Sequence, residues 1–253
     1  MPYPSDLSDE QWSLVELLIP ETKERGFKRK YSKRDMINAI FYVNKTGCHW
    51  RYLPSDFPPW GSVYHFFKNL TYRGFFEKMN AALRQEVRTR SGRHKEPSLI
   101  CIDSQSIKGD VNLQESGIDG NKKVKGRKRH IAVDVLGLIV LCAVTAANTA
   151  DIHPARVFIQ QLSSQPRLEK VLVDKAYQGL EGKFNNLEVQ VTSKKPEQEG
   201  FVPIFKRWVV ERTFAWISRQ RRLSRDYEVT VENQRSMIFI AMSKIMLNRL
   251  INP

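Results

Sequence analysis

Cysteine is scarce in this chain. There are three among 253 residues, Cys48, Cys101 and Cys142, and no two stand in a CxxC pair. That excludes a disulfide framework and a structural zinc site, and it points to a reducing cytoplasm. Long apolar runs are missing too, and none approaches the ~20 residues a membrane helix needs. The opening Met1-Pro-Tyr-Pro-Ser-Asp6 has neither a basic stretch nor an apolar one, so no secretory signal is expected. There is no internal repeat and no low-complexity tract. Acidic residues are the last deficit: 27 Asp and Glu face 41 Lys and Arg, a formal net charge of +14, with a pI near 9.8. A chain this basic is expected to collect polyanions, above all the phosphate backbone of nucleic acid, and no membrane partner is expected. A ribosomal-type or merely soluble basic protein is the plainer alternative.

What is present divides near residues 91–97, where Ser91-Gly-Arg-His-Lys-Glu-Pro97 reads as a link. Residues 1–95 are expected to form a small all-helical domain. Ser8-Asp-Glu-Gln11 reads as a capping box before Trp12, Val15, Leu18 and Ile19 at helical spacing. Ser32-Lys-Arg-Asp35 starts a second helix that Gly47 stops. After a proline-rich turn, short helices over 62–69 and 75–90 complete a helix-turn-helix pattern. Ser62, His65 and Lys68, with Asn69, are its candidate DNA-reading residues, while Tyr64, Phe66 and Phe67 suit an aromatic core.

Residues 96–253 are expected to be α/β. Strands fit 98–103, 129–135, 138–144, 168–174 and 188–193, with 129–144 a hairpin. Helices fit 151–164, 203–220 and 230–250. This order is that of a ribonuclease-H-like fold, in which the first and fourth strands lie side by side.

Three acidic residues carry the functional reading. Asp103 closes the apolar run from Ser98, and Asp174 closes the run from Leu168. A carboxylate at the end of a buried strand is costly unless something pairs with it. Either alone could be a turn or helix cap, but the two recur on strands expected to be neighbours. Glu211 lies in a helical pattern whose one face carries Arg207, Glu211, Ala215, Ser218 and Arg222, opposite an apolar face of Val209, Val210, Phe214, Trp216 and Ile217. Two strand-end aspartates and a helical glutamate can assemble the oxygen cage that Mg²⁺ prefers, and with two ions such a cage catalyses displacement at phosphorus. The densest basic run, Lys122-Lys123-Val-Lys125-Gly-Arg127-Lys128-Arg129-His130, is read as a glycine-bearing flexible loop that contacts the DNA backbone, continued by Arg219, Arg221, Arg222 and Arg225. Asp134 and Asp151 stay outside the acidic triad, the first as mid-hairpin and the second as a cap. Asp110, Asp119 and Asp226 read as loop residues.

With these motifs set out, the chain resembles the DDE transposases of bacterial insertion sequences, specifically the insertion-sequence-five family. The likeness rests on Cys48-His-Trp-Arg-Tyr-Leu-Pro54, Tyr64-His-Phe-Phe67, Ile102-Asp103-Ser-Gln-Ser-Ile-Lys108, Lys125-Gly-Arg-Lys-Arg-His130, Val173-Asp174-Lys-Ala-Tyr177 and Arg207-Trp-Val-Val-Glu211-Arg-Thr-Phe-Ala-Trp216. It implies that Asp103, Asp174 and Glu211 are the catalytic, metal-holding triad. It further implies two Mg²⁺ ions, with Mn²⁺ as a substitute, cleavage at transposon ends, and strand transfer into target DNA. A homodimer or higher oligomer on DNA, associated with the nucleoid, follows from the same likeness. The wider group's helix carries a Tyr and a Lys or Arg where Ile204 and Ser218 stand here, which leaves the DNA-gripping role of that cation unassigned, with Arg219 and Arg222 as candidate substitutes. The alternatives are a ribonuclease-H-like nuclease without joining activity and a non-catalytic DNA-binding regulator.

Overall fold

Local signals start the helices where the sequence places them. In this computed structural model, which describes residues 3–20, 30–182, 184, 187–192 and 208–251, Ser8 Oγ accepts from Gln11 N at 3.2 Å and Gln11 Oε1 accepts from Ser8 N at 3.4 Å. That reciprocal box opens α1 (Asp9–Glu16). Ser32 caps α2 (Lys33–Thr46) from one side only, its hydroxyl accepting from Asp35 N at 3.0 Å. Then α3 (Trp60–Tyr72) and α4 (Phe75–Arg90) follow, separated by only Arg73 and Gly74. On α3 the apolar positions Val63, Phe66, Phe67 and Leu70 are buried while Ser62, His65 and Lys68 are exposed, so one helix both packs and presents.

The sheet comprises β1 (Leu99–Lys108), β2 (Gly117–Asp119), β3 (Val124–Asp134), β4 (Ile139–Ala146), β5 (Lys170–Val173) and β6 (Glu188–Val191). Its order is β4–β3–β1–β5–β6, with β2 beside the first part of β3. The pairs β1–β3 and β3–β4 are antiparallel, and β1–β5 and β5–β6 are parallel. The first and fourth of the expected strands are therefore neighbours, as the element order requires. Helix α5 (Ile152–Leu162) supplies the connection to β5, and α6 (Trp208–Ser218) and α7 (Val231–Ile251) end the chain.

Alternation along the strands sorts two apolar layers. Ile100, Ile102, Val171 and Val173 pack with Ala155, Phe158, Ile159 and Leu162 of α5. Cys101, Ile131, Val133 and Leu172 face the other way, into a core built with α6, α7 and the N-terminal helices. Helix α7 is buried nearly all round and packs against α4, β4, α2 and α3. The helices of the first 90 residues thus share one core with the sheet.

The basic run is where the fold departs from the sequence reading. Lys122 and Lys123 lie in the turn before β3, but from Val124 onward the run is the start of a central strand rather than a loop. Arg127 and Arg129 are 0% exposed, His130 1% and Lys128 8%. Arg127 Nη1 pairs with Asp226 Oδ2 at 3.2 Å and donates to Glu228 O at 2.7 Å, and its Nη2 reaches Val229 O at 2.7 Å. Arg129 Nη2 donates to Leu223 O at 2.8 Å. Arg222 is buried as well, with Nε at 2.7 Å from Glu228 Oε1 and Nη1 at 3.2 Å from Cys48 O. So Arg127, Lys128, Arg129 and Arg222 are internal cations, not DNA contacts, and Asp226 is a buried partner rather than a loop residue. Gly126, read as a source of flexibility, lies in the strand with φ 152°, where a Cβ would collide with the Ile107 carbonyl. Burial follows from position: β3 is flanked by strands on both sides, and the segment after α6 lies over its charged end.

Removing one partner of a buried pair leaves the other charge uncompensated, at roughly 3–5 kcal/mol. Arg127→Met should therefore lower the urea unfolding free energy by about that amount. Combined Lys122→Ala, Lys123→Ala and Lys125→Ala should change it by no more than about 0.5 kcal/mol per site, since those three side chains are exposed.

Burial also pushes the His130 imidazole down to about 4, against a weaker upward pull from Asp151. The unfolded chain takes up that proton near pH 6.5, and the folded chain only near 4. Folding stability should thus be fully present above about pH 6.5 and fall as the pH drops toward 4, by up to about 3 kcal/mol. His130→Gln should flatten that part of the pH–stability curve; an unchanged slope would mean the ring is hydrated in the fold.

Candidate active site

Parallel pairing brings the two aspartates together. Leu99 pairs with Lys170, Ile100 with Val171 and Cys101 with Leu172. Two further steps in that register set Asp103 level with Asp174. Cys101 and Leu172 point into the core shared with α6, so by the two-residue period Asp103 and Asp174 lie on that same face. Asp103 Oδ1 accepts from Ser104 N at 2.7 Å, and Asp174 Oδ1 accepts from Ala176 N at 2.9 Å. Asp174 therefore caps the 3-10 turn Lys175–Tyr177. The buried Tyr177 hydroxyl is held far toward its neutral form, first by burial and then by the charges of Asp103, Asp151 and Asp174.

Glu211 arrives on the helix that covers this face. Helix α6 packs on β3 and β1, burying Val209, Val210, Phe214 and Ile217 and exposing Glu211, Ala215 and Ser218 as one stripe. The aspartates belong to the sheet and the glutamate to the layer above it. Among the described residues no three His, Cys, Asp or Glu side chains are gathered closely enough to cage a metal ion. The all-oxygen donor set, two of its members side by side, suits a hard cation such as Mg²⁺.

Helix α6 is fastened to the β3–β4 turn. Thr213 Oγ1 donates to Gly137 O at 2.8 Å, and Arg212 Nη2 donates to Leu136 O at 3.1 Å. Asp134, fully buried, accepts from Leu136 N and Leu138 N, both at 2.9 Å, and pairs with Arg88 of α4. It is an anchor of the turn rather than a spare carboxylate.

Behind the aspartates, on the α5 side, lies a polar cluster that the sequence reading missed. Ser104 Oγ donates to Asp151 Oδ1 at 2.8 Å, while Lys128 Nζ reaches Thr149 O at 3.0 Å and Asp151 Oδ1 at 3.2 Å. Ser106 hydrogen-bonds Asp119, which is buried in β2 and not in a loop. Asp151 flanks α5 but makes no side-chain cap bond. The signal was available in alternation: Ser104 and Ser106 continue the face begun by Ile100 and Ile102.

Of the residues expected to hold DNA, Lys122, Lys123, Lys125 and Arg219 are exposed. Lys123 and Lys125 border a cavity of about 650 Å³ with Lys108 and Arg225, two cations outside the basic run. Ser62 and His65 border another of about 820 Å³, with Asn69 and Arg73. Arg207 and Ile204 lie outside the described residues. Among the described residues, no helix is long and apolar enough to cross a membrane.

Residues 7–80 match the family model "Putative transposase of IS4/5 family (DUF4096)", and residues 94–246 match the "Transposase DDE domain". The chain is 28% identical over 108 residues to the "Insertion element IS402 uncharacterized 16.2 kDa protein" of Burkholderia cepacia, a match covering 40% of this chain and 72% of that one. No solved structure gives a significant match. A DDE domain implies a ribonuclease-H-like fold, which the mixed sheet and its strand order fit. With more than half of its length matched by that domain, the chain belongs to the DDE transposase family.

Proposed function

We propose that this protein cleaves DNA at the ends of an insertion element and joins the freed 3′ ends to target DNA, with Asp103, Asp174 and Glu211 as its catalytic carboxylates. The observation that carries this reading is the register between β1 and β5, which sets two aspartates side by side on the face covered by the helix bearing Glu211. Asp103 and Asp174 would hold Mg²⁺ from the sheet, and Glu211 would close the cage from α6, with Mn²⁺ able to substitute. Bound there, the metal supplies Lewis-acid activation of the attacking oxygen and stabilisation of the leaving one. The chain's own part is orientation. The backbone amides of Ser104 and Ala176 fix the two carboxylates, and the small exposed Ala215 and Ser218 beside Glu211 leave room for a sugar-phosphate strand.

DNA would be held by the exposed cations Lys108, Lys122, Lys123, Lys125, Arg219 and Arg225, and its sequence read by Ser62, His65 and Lys68 on α3. On this reading residues 1–95 act as the recognition unit and 96–253 as the catalytic one. A homodimer or higher oligomer on the DNA, at the nucleoid, completes the proposal.

Asp103→Asn keeps the shape but loses the charge that holds the cation. It should abolish cleavage and strand transfer while leaving DNA affinity within about threefold, measured on one preparation by gel shift and product analysis with and without Mg²⁺. Full cleavage by the variant would remove Asp103 from the site. Cleavage without joining in the parent protein would favour the nuclease reading.

Replacing Lys108, Lys122, Lys123, Lys125 and Arg225 with Ala should weaken binding to every DNA sequence about equally. Every lysine or arginine that no longer neutralises a phosphate should flatten the slope of log K against log salt by roughly 0.9. By contrast, Ser62→Ala, His65→Ala and Lys68→Ala together should chiefly erase preference for the element's ends. An unaltered preference would take α3 out of recognition.

A further inference from the structure

Glu211 stands on a helix, while its proposed partners stand on strands, so something must set the height and rotation of α6 over the sheet. The interactions that do so converge on two residues of one turn, Leu136 and Gly137. Thr213, fully buried and two residues after Glu211, directs its one hydroxyl proton at Gly137 O, 2.8 Å away, with Val209 O a second, shared acceptor at 2.9 Å. Arg212, next to Glu211, donates to Leu136 O and is stacked between Trp208 and Trp216, with its guanidinium carbon 4.3 and 4.7 Å from the two ring centres. Gly137 has φ 79°, and a Cβ there would sit 2.8 Å from Thr213 Oγ1 and 2.9 Å from Trp216 Cζ3. Close approach of helix to turn therefore needs glycine at that position. The turn is itself rigid, because Asp134 takes two of its backbone amides and the guanidinium of Arg88.

From this geometry we infer that the β3–β4 turn, through the hydrogen bond from Thr213 to Gly137, positions Glu211 against the aspartate pair, making Thr213 and Gly137 positioning residues for the metal-holding site. The inference rests on the reading of Glu211 as a metal ligand. It also explains why a fully buried carboxylate and arginine are spent on a hairpin turn outside the acidic triad. Asp134 connects α4 to the turn and the turn to α6, so the N-terminal helices and the site share one mechanical support.

The test separates hydrogen bond from bulk. Thr213→Val keeps the shape and loses the donor, whereas Thr213→Ser keeps the donor. Mn²⁺ binding to the full-length protein is followed by electron paramagnetic resonance, beside DNA affinity, melting temperature and cleavage. Removing an outer support of this kind should weaken Mn²⁺ binding by about tenfold or more. We expect that weakening in Thr213→Val, with DNA affinity unchanged, and recovery to within about twofold in Thr213→Ser. Gly137→Ala should reproduce the defect. Should Thr213→Val bind Mn²⁺ as the parent does while Glu211→Gln binds it weakly, the positioning role is refuted and the ligand role survives. If Glu211→Gln itself binds Mn²⁺ normally, both the ligand reading and this inference fail. A Thr213→Ser protein as defective as Thr213→Val would assign the effect to packing and overturn the inference too.

Discussion

Strand β3 brings two guanidiniums into a place that water does not reach, and the rest of the chain is arranged around that cost. An unpaired charge in such a site is prohibitive, so each must find acceptors. Arg127 finds Asp226 and four backbone carbonyls beyond α6 or before β2. Arg129 finds Leu223 O and, with the Gln234 carboxamide oriented toward it, an acceptor at 2.7 Å from α7. These bonds fix the 221–229 segment over the sheet, and that segment in turn reaches α2 through Arg222 and Cys48 O. Burial pushes the carboxyls of Asp226 and Glu228 upward, and their arginine partners pull them back toward the charged form. The pairs compensate desolvation; they also fix which segment covers which strand.

Once that frame is set, the site follows from two facts of strand geometry. Parallel pairing of β1 with β5 brings residues of equal register side by side, and the two-residue period turns Asp103 and Asp174 to the face where α6 lies. No loop closure is needed for the first two carboxylates. Glu211, the proposed third, depends on tertiary packing alone, which is why the clamp between Thr213 and the β3–β4 turn would bear on it and not on the aspartates.

Much of this was legible in residue order. Apolar runs ending in Asp103 and Asp174 marked the strands, and capping serines marked α1 and α2. The apolar stripe of α6 marked which side of that helix packs. The basic run misled for a physical reason. Lys122 to His130 carries cations and a glycine, the composition of a solvated loop, and nothing local reports that acceptors wait roughly a hundred residues further on. Asp226 and Glu228 were the missing half of that statement, yet in sequence they are simply acids among arginines. Burial of charge is a pairwise property, and a pairing over that separation has no periodicity to betray it. Ser104 and Ser106 were different. Their alternation with Ile100 and Ile102 already placed them on the α5 face, where Asp151 and Lys128 meet them.

Moving four basic residues indoors leaves the electrostatic case for a polyanionic partner intact. Of the four, Arg127 with Asp226, Arg222 with Glu228 and Lys128 with Asp151 are neutral as pairs, so their withdrawal leaves the excess in the net charge of +14 with the exposed groups; only Arg129, held by carbonyl and carboxamide oxygens, carries its charge inward. Lys108 and Arg225, from outside the basic run, meet Lys123 and Lys125 around one cavity, which gathers cations from three segments onto the flank of β1. A strand of nucleic acid drawn to that flank by its phosphates would lie along the same strand that carries Asp103. On the proposed function, the field that attracts the substrate and the carboxylate proposed to act on it are thereby tied to one element of the sheet.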